Sequence, residues 1–423
     1  MLRSLTYLLA AVTALPLWAA ELRVPPAVSG GLAQAIAGAN SGDVLILEPG
    51  RHKGPLIIDR PLTLTGSHDA VIDGLGKGTT ITIDAPDVTI KGLTVTGSGL
   101  NSEDTDAGIK ILKKADRALV ENNRVLGNLH GIDVHGGLDA VVRGNTIEGT
   151  RNPRMNDRGN GIYVWNAPGA RVEQNSVRFG RDGIFVNSSR ENTFSNNRFE
   201  DLRFAVHYMY ANNSEVSDNI SIGNHLGYAI MYSRNVQVTG NVSVGDRDHG
   251  VMLNYTNDSH VSGNYVREGA EKCLFVYNAH KNQIEGNRFE RCDMGIHFTA
   301  GSERNAVLGN AFVGNRTQVK YVSTKWLDWA ENGRGNYWSD FVATDFDGDG
   351  IADATYRPND SMDHILWSQP AAKLLLGAPA VQLVRWAQDS FPALMPGGVM
   401  DSAPLMRPVQ IEIPEWERGA YVN

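Results

Sequence analysis

Val120-Glu-Asn-Asn123-Arg-Val125, Val142-Arg-Gly-Asn145-Thr-Ile147, Val172-Glu-Gln-Asn175-Ser-Val177 and Phe194-Ser-Asn-Asn197-Arg-Phe199 are four copies of one phrase. Each has an apolar residue, two spacers, an Asn, a spacer and a second apolar residue. The phrase continues through Val216–Asn219, Val238–Asn241, Val261–Asn264–Val266, Ile284–Asn287–Phe289 and Val307–Asn310–Phe312. Successive Asn residues lie 22, 30, 22, 22, 22, 23, 23 and 23 positions apart. A fixed period of this size marks a stacked solenoid.

A second strand usually follows each Asn by eight or nine residues: Gly131-Ile-Asp-Val, Gly183-Ile-Phe-Val, Ala205-Val-His-Tyr, Gly227-Tyr-Ala-Ile, Gly250-Val-Met-Leu, Cys273-Leu-Phe-Val and Gly295-Ile-His-Phe. Such repeats leave no room for a helix in each turn, and the frame of leucine-rich repeats is absent. The expected fold is therefore all-β, a right-handed parallel β-helix with a capped N-terminus and a C-terminal loop and helix extension. In that fold the repeated Asn belongs at an inward corner, where amides of successive coils bond one another in a ladder.

The flanks divide the chain. Residues 1–20 carry an early Arg3, an apolar run and a small-residue end at Ala19–Ala20, and resemble a secretory signal peptide. Residues 21–322 are assigned to the β-helix, 323–367 to a cap and 368–423 to a C-terminal helix and tail. The helix is expected over Ala371–Phe391 (interrupted if Pro379 breaks it), with an extended Pro-rich tail after it. Short strands are expected at Leu22–Val24, Asp43–Leu47, Leu56–Ile58, Leu62–Thr65, Ile81–Ile83 and Val88–Val95, with a helix at Gly31–Ala39. Loops inserted near Asn101–Ala107 and Asn152–Asn160 emerge where solenoids often place their working face. Cys273 and Cys292 are the only cysteines; they sit differently in consecutive repeats, so their pairing stays open. The balance of 39 basic to 47 acidic residues, with no basic stripe, argues against a nucleic-acid partner.

No Walker loop, nucleophile elbow or zinc-protease helix is present. Charged positions expected on the outside (Asp133, Arg143, Asp182, Arg203) form no carboxylate column. Aligning the second strands is more informative. With Ile and Val of Gly-Ile-x-Val inward, x and the residue two later face out. One column reads Asp133, Tyr163, Phe185, His207, Ala229, Met252, Phe275, His297; the other reads His135, Trp165, Asn187, Met209, Met231, Asn254, Tyr277, Thr299. His207, Met209, Met231 and Met252 should cluster on three coils around the small Ala229. Thioethers with an imidazole select Cu(I) over hard cations. His225, His249 and His297 are nearby alternatives, and an apolar docking stripe is the competing explanation.

Asp345-Phe-Asp347-Gly-Asp349-Gly350-Ile-Ala-Asp353 places acids at positions 1, 3, 5 and 9 around a turn glycine, as in the first part of a calcium loop. Tyr356 stands where the bidentate Glu belongs; Asp360 or Asp363 are candidate substitutes. A structural Ca ion holding the cap closed is the expected role.

The Asn and Gly-Ile repeat, followed by Gly335-Asn-Tyr-Trp-Ser-Asp340 and the acidic loop, resembles the NosD family of periplasmic accessory proteins in nitrous oxide reductase maturation. That resemblance implies a periplasmic, non-enzymatic protein working with the membrane and ATPase subunits of an ABC transporter, a copper chaperone lipoprotein and the reductase. Together they support assembly of its copper–sulfur cluster. It further implies membrane contact through the transporter, with Leu374–Leu376, Val381–Val384, Trp386 and Phe391 as a docking segment; transient Cu(I) binding is expected from the His and Met columns alone, and the cargo, whether copper, sulfur or an assembled cluster, stays open. The reading from a different class is a polysaccharide lyase, hydrolase or epimerase using the same outer face.

Overall fold

The computed structural model describes residues 19–26, 31–323, 325–375, 377–390 and 397–412. Met1 to Trp18, most of the expected signal stretch, lie outside the described residues. Three parallel sheets of thirteen, twelve and thirteen strands run side by side, each strand pairing with its counterpart one coil on. The first sheet extends from Glu21–Val24 to Ala306–Leu308, the second from Leu56–Ile58 to Thr317–Lys320, and the third from Gly50–Lys53 to Tyr337–Trp338. This is a right-handed parallel β-helix.

Each coil follows from its phrase. The leading apolar residue (Val120, Val142, Val172, Phe194, Val216) is buried in the first sheet. The chain then turns through a residue of positive φ immediately before the repeated Asn: Asn122 at 53°, Gly144 at 64°, Asp218 at 53°, Gly240 at 65°. Gly takes this conformation freely, and Asn or Asp tolerate it, which explains the residues found in that spacer. The next apolar residue enters the third sheet, and the Gly-Ile-x-Val strand then closes the coil in the second.

The amide ladder is continuous. The Asn219 carboxamide oxygen accepts the Asn197 backbone N–H at 3.0 Å, while its Nδ2 donates to Phe194 O at 2.8 Å and to Asn241 Oδ1 at 3.0 Å. The same pattern repeats from Asn123 to Asn310. Leu93 occupies the Asn position one coil earlier and contributes its N–H to Asn123 Oδ1. At the far end Asn336, from the Gly335-Asn-Tyr-Trp motif, is a further rung, bonded to Asn310. Its own N–H goes to the buried Asp401 carboxylate at 2.7 Å, which also takes Trp338 Nε1 at 2.8 Å.

Helix α1 (Gly31–Gly38) buries Leu32 and Ile36 over the first coil, covering an edge that would otherwise invite pairing. The run expected as one strand over Val88–Val95 is two, Thr89–Lys91 and Thr94–Thr96, separated at Gly92 with φ 72°. At the other end α2 (Ser361–Ser368) is N-capped by Asp360, with Asp363 returning the bond in a capping box. The helix expected over 371–391 is two elements, a 3-10 turn at Pro370–Leu375 and α3 (Pro379–Ser390). Pro379 takes the first helical position, where its missing N–H costs nothing. Leu376 and Phe391 lie outside the described residues. The tail does not run free after that: Gly398–Met400 pairs in parallel with Trp326–Asp328, delivering Asp401 to the ladder.

Cys273 and Cys292 form a disulfide, Cα–Cα 5.7 Å. Cys273 replaces the Gly that opens the second-sheet strand, so its side chain enters the interior. Cys292 sits at the corner of the following coil, between Arg288–Glu290 and Met294–Phe298. The corner stacking thus joins two residues that are not equivalent in the repeat.

Candidate metal site on the second sheet

The register places the expected cluster. His207 pairs with Ala229 and Ala229 with Met252; Met209 pairs with Met231. Val206, Tyr208, Tyr228, Ile230, Val251 and Leu253 between them are fully buried, so the alternation is inward for these and outward for the four candidates. His207, Met209, Met231 and Met252 are half-buried. Met252 is two coils from His207, roughly 10 Å along the sheet, with only the Ala229 methyl in that column between them.

His207 is held by a carboxylate. Its Nδ1 lies 3.1 Å from Asp182 Oδ2, and Arg203 grips the same carboxylate at 2.8 and 2.6 Å. Desolvation works to raise the Asp182 pKa, but bonds from His207 and Arg203 outweigh it and hold the carboxyl below its usual range. An ionised acceptor at Nδ1 selects the Nδ1–H tautomer and leaves the Nε2 lone pair available, the arrangement that orients histidine ligands on metals. Phe185 and Phe204 pack the ring at 4.7 and 4.8 Å between centroids.

Sequence reasoning placed Asp133 and Asp182 outside as exposed charges; both are fully buried. Asp133 lies beneath the first inserted loop, accepting from Thr105 Oγ1 at 2.9 Å with Lys110 Nζ at 3.4 Å. Asp182 is covered by Arg203 and His207. Arg143 belongs to the first sheet, where it pairs with Glu121.

A third row went unread. The residue just before each Gly of the second strand also borders this face: Asp182, Phe204, Leu226, His249, Lys272 and Met294 stand in register. Aligning that position would have set Asp182 beside His207 instead of among scattered outward charges. His249 Nδ1–H donates to Asp248 O at 2.6 Å, and burial pushes its pKa down. Burial, then Lys320 and Lys272, lower His297 to about 4, and burial lowers His225. His249 and His297 flank the Phe275 ring at 5.1 and 5.0 Å. Beyond the methionines Tyr210, Tyr232 and Tyr255 stack at 5.1 and 5.2 Å, and Tyr277 follows at 5.9 Å. All four are exposed.

In the acidic loop, carboxylate oxygens of Asp345, Asp347 and Asp349 lie within 4.8 Å of one another. Asp345 accepts from Gly348 N at 2.7 Å and Gly350 N at 3.0 Å. Against desolvation, the Gly350 and Gly348 bonds hold its pKa below the ordinary value. Asp353 accepts the Phe346 N–H at 2.7 Å. Tyr356 turns into the cap and donates to Asp340, while Asp360 and Asp363 are engaged in capping α2.

The chain is thus a parallel β-helix with soft donors aligned on one outer sheet. The comparisons narrow that description. The family described as "Periplasmic copper-binding protein (NosD)" matches residues 143–343. The "Probable ABC transporter binding protein NosD" of Stutzerimonas stutzeri is 40% identical over 375 residues, covering 85% of this chain and 86% of that protein. Its namesake from Pseudomonas aeruginosa is 42% identical over 374 residues, covering 85% and 87%. Among solved structures, the Yersinia enterocolitica family 28 exopolygalacturonase superposes with a TM-score of 0.50 at 11% identity, covering 71% of this chain and 77% of that one. At that identity the likeness concerns the fold alone. The chain belongs to the NosD family of periplasmic copper-binding proteins.

Proposed function

We propose that the chain is a non-enzymatic copper carrier of the periplasm, taking Cu(I) as cargo at His207, Met209, Met231 and Met252. The observation that carries this reading is the shared outward register of one oriented imidazole and three thioethers around Ala229. Neutral thioethers suit transfer of Cu(I), since no proton must be displaced, and their softness disfavours Mg(II) or Ca(II). The relatives named as transporter-binding proteins support a place beside an ABC transporter with membrane and ATPase subunits. A copper chaperone lipoprotein would act as donor and nitrous oxide reductase as recipient, with ATP-driven changes in docking switching acceptance to release.

The exposed apolar residues Leu374, Leu383, Val384 and Trp386 supply a surface for the transporter, amphipathic as groove-binding helices are. The Asp345, Asp347 and Asp349 oxygens suit a structural Ca ion, with Asp353 completing the loop.

An anaerobic Cu(I) titration against a competing chromogenic chelator tests the cargo site. Wild type should bind stoichiometrically, and a Met209→Ala/Met231→Ala/Met252→Ala variant should lose that binding while melting like wild type. Undiminished binding in the variant rules out this ligand set.

A further inference from the structure

The two inserted loops, which the metal reading leaves unused, build a cleft of about 480 Å³ on the second sheet. Its walls include Leu100, Thr105 and Arg158, and its floor includes His130, Asn160, Tyr163, Arg181 and Phe185. The size falls within the range of small-molecule sites.

The loop is fixed in place rather than draped. Gly159 lies against the Leu129 backbone so closely that a Cβ would stand 2.1 Å from its carbonyl oxygen. Asn160 N–H donates to His130 Nδ1 at 3.1 Å, Gly131 N–H to Asn160 O at 3.0 Å, and Arg181 N–H to Gly159 O at 2.7 Å. Arg158 Nε donates to Asn152 O at 2.6 Å, anchoring the guanidinium on the wall.

The charged groups lining the cleft are mainly basic, with the buried Asp133 next to its floor, paired with Lys110 Nζ at 3.4 Å and Thr105 Oγ1 at 2.9 Å. Two guanidinium groups face one lining carboxylate, Asp157. Arg181 Nε is buried with no hydrogen-bond partner among the described residues. It lies 3.7 Å from Asp182, whose oxygens are already occupied by Arg203 and His207. His130 accepts at Nδ1, so in its neutral form it holds a proton on Nε2; burial keeps it neutral by lowering its pKa to about 4. Asn160, 2% exposed, has an Oδ1 with no partner among the described residues, an acceptor that asks for a ligand hydroxyl or N–H. The Tyr163 and Phe185 rings stack at 5.2 Å with planes 8° apart, making a flat apolar floor that leads to His207.

We propose that this cleft binds a carboxylate carrying a neighbouring hydroxyl or amide N–H, the acid paired with Arg158 and Arg181, the donor with Asn160, and the remainder laid on Tyr163 and Phe185. Such chemistry comes either from a free hydroxy acid or from an acidic peptide segment of a partner. The site uses none of the four copper candidates, so it stands or falls separately from the metal reading.

Calorimetric titration of the full chain separates the outcomes, with D-glucuronate and D-glucose as one pair and acetyl-Asp-Glu-amide and acetyl-Asn-Gln-amide as the other. Heat from either acid, but not from its neutral analogue, supports the site; glucuronate identifies the free acid as the source, and the peptide alone identifies a partner segment. Arg158→Gln should weaken that binding by about tenfold or more, the loss of one charge-assisted pair, with Cu(I) binding unchanged. Arg181→Gln should act in the same direction. Because Arg181 borders Asp182, Arg158→Gln on the loop keeps the test valid if the other variant folds poorly. Failure of both acids to bind, equal binding of the neutral analogues, or wild-type affinity in Arg158→Gln overturns the proposal.

Discussion

At the residue scale, two buried aspartates have opposite pKa shifts and different consequences. Asp182 stays ionised against its burial because Arg203 and His207 hydrogen-bond to it. Asp182→Asn should therefore weaken Cu(I) affinity by about 10- to 100-fold, as loss of an orienting carboxylate does at histidine metal sites. The competition titration reads this directly, and His207→Ala should be no better than Asp182→Asn. Asp246 is the reverse: burial outweighs bonds from Ser221, Ser243 and Asn224 and raises its pKa from 3.8 to about 6. Between those values the folded chain holds a proton that the unfolded chain has released, so stability falls as pH rises through that window. The difference amounts to about 3 kcal/mol. His130 and His297, both lowered to about 4, act in the other direction, losing stability as pH falls from their unfolded value. Asp246→Asn isolates the first contribution: urea unfolding of variant against wild type should show the variant gaining relative stability as pH rises from about 4 to about 6. A pH-independent difference would remove Asp246 from the account.

At the element scale, the Asn rungs join one coil to the next through both amide atoms. Asn219→Ala would strip the Asn197 N–H of its acceptor and the Phe194 carbonyl of its donor inside the core. Leaving two or three such groups unsatisfied should cost about 2–5 kcal/mol. Asn235→Gly, at an exposed position whose φ of 53° Gly adopts freely, removes only a side-chain bond to the neighbouring Asn213 and should cost about 0.5 kcal/mol or less. Chemical denaturation of the two variants gives the comparison. The ladder was legible in the sequence because a period-22 repeat puts chemically identical residues at one corner, and the same period made the His and Met columns readable. What the repeat could not convey lies where coils depart from it. The role of Asp182 against His207 escaped because the strand enters one residue earlier than the Gly-Ile-x-Val phrase suggests. The disulfide escaped because its two sulfurs occupy different positions of successive coils. The cleft escaped because loops outside the period carry no register of their own, so His130, Asn160 and Arg181 had no visible neighbours until the chain was folded.

At the scale of the whole molecule, a solenoid has two ends that its own repeat cannot close, and the C-terminal segment closes one of them while leaving apolar side chains exposed. Its last described part returns to the final rung, where Asp401 accepts from Asn336 and Trp338 and Gly398–Met400 extends the cap. Its C-terminal elements leave Leu374, Leu383 and Trp386 exposed, at 91, 63 and 62%, the apolar surface proposed to meet the transporter. These roles should separate by mutation. Asp401→Ala removes the acceptor of three buried N–H donors, those of Asn336, Trp338 and Ala403, and should lower stability by about 2–5 kcal/mol, seen as a lower melting temperature and as aggregation through the opened end. Leu383→Ala/Trp386→Ala should leave the melting temperature within a degree or two of wild type, since neither side chain is packed in the core. The double variant should nevertheless fail to co-purify with the transporter subunits from membranes, while its Cu(I) stoichiometry stays intact. A double variant that unfolds early instead assigns these residues to the cap, and one that retains the transporter places the docking surface elsewhere on the solenoid.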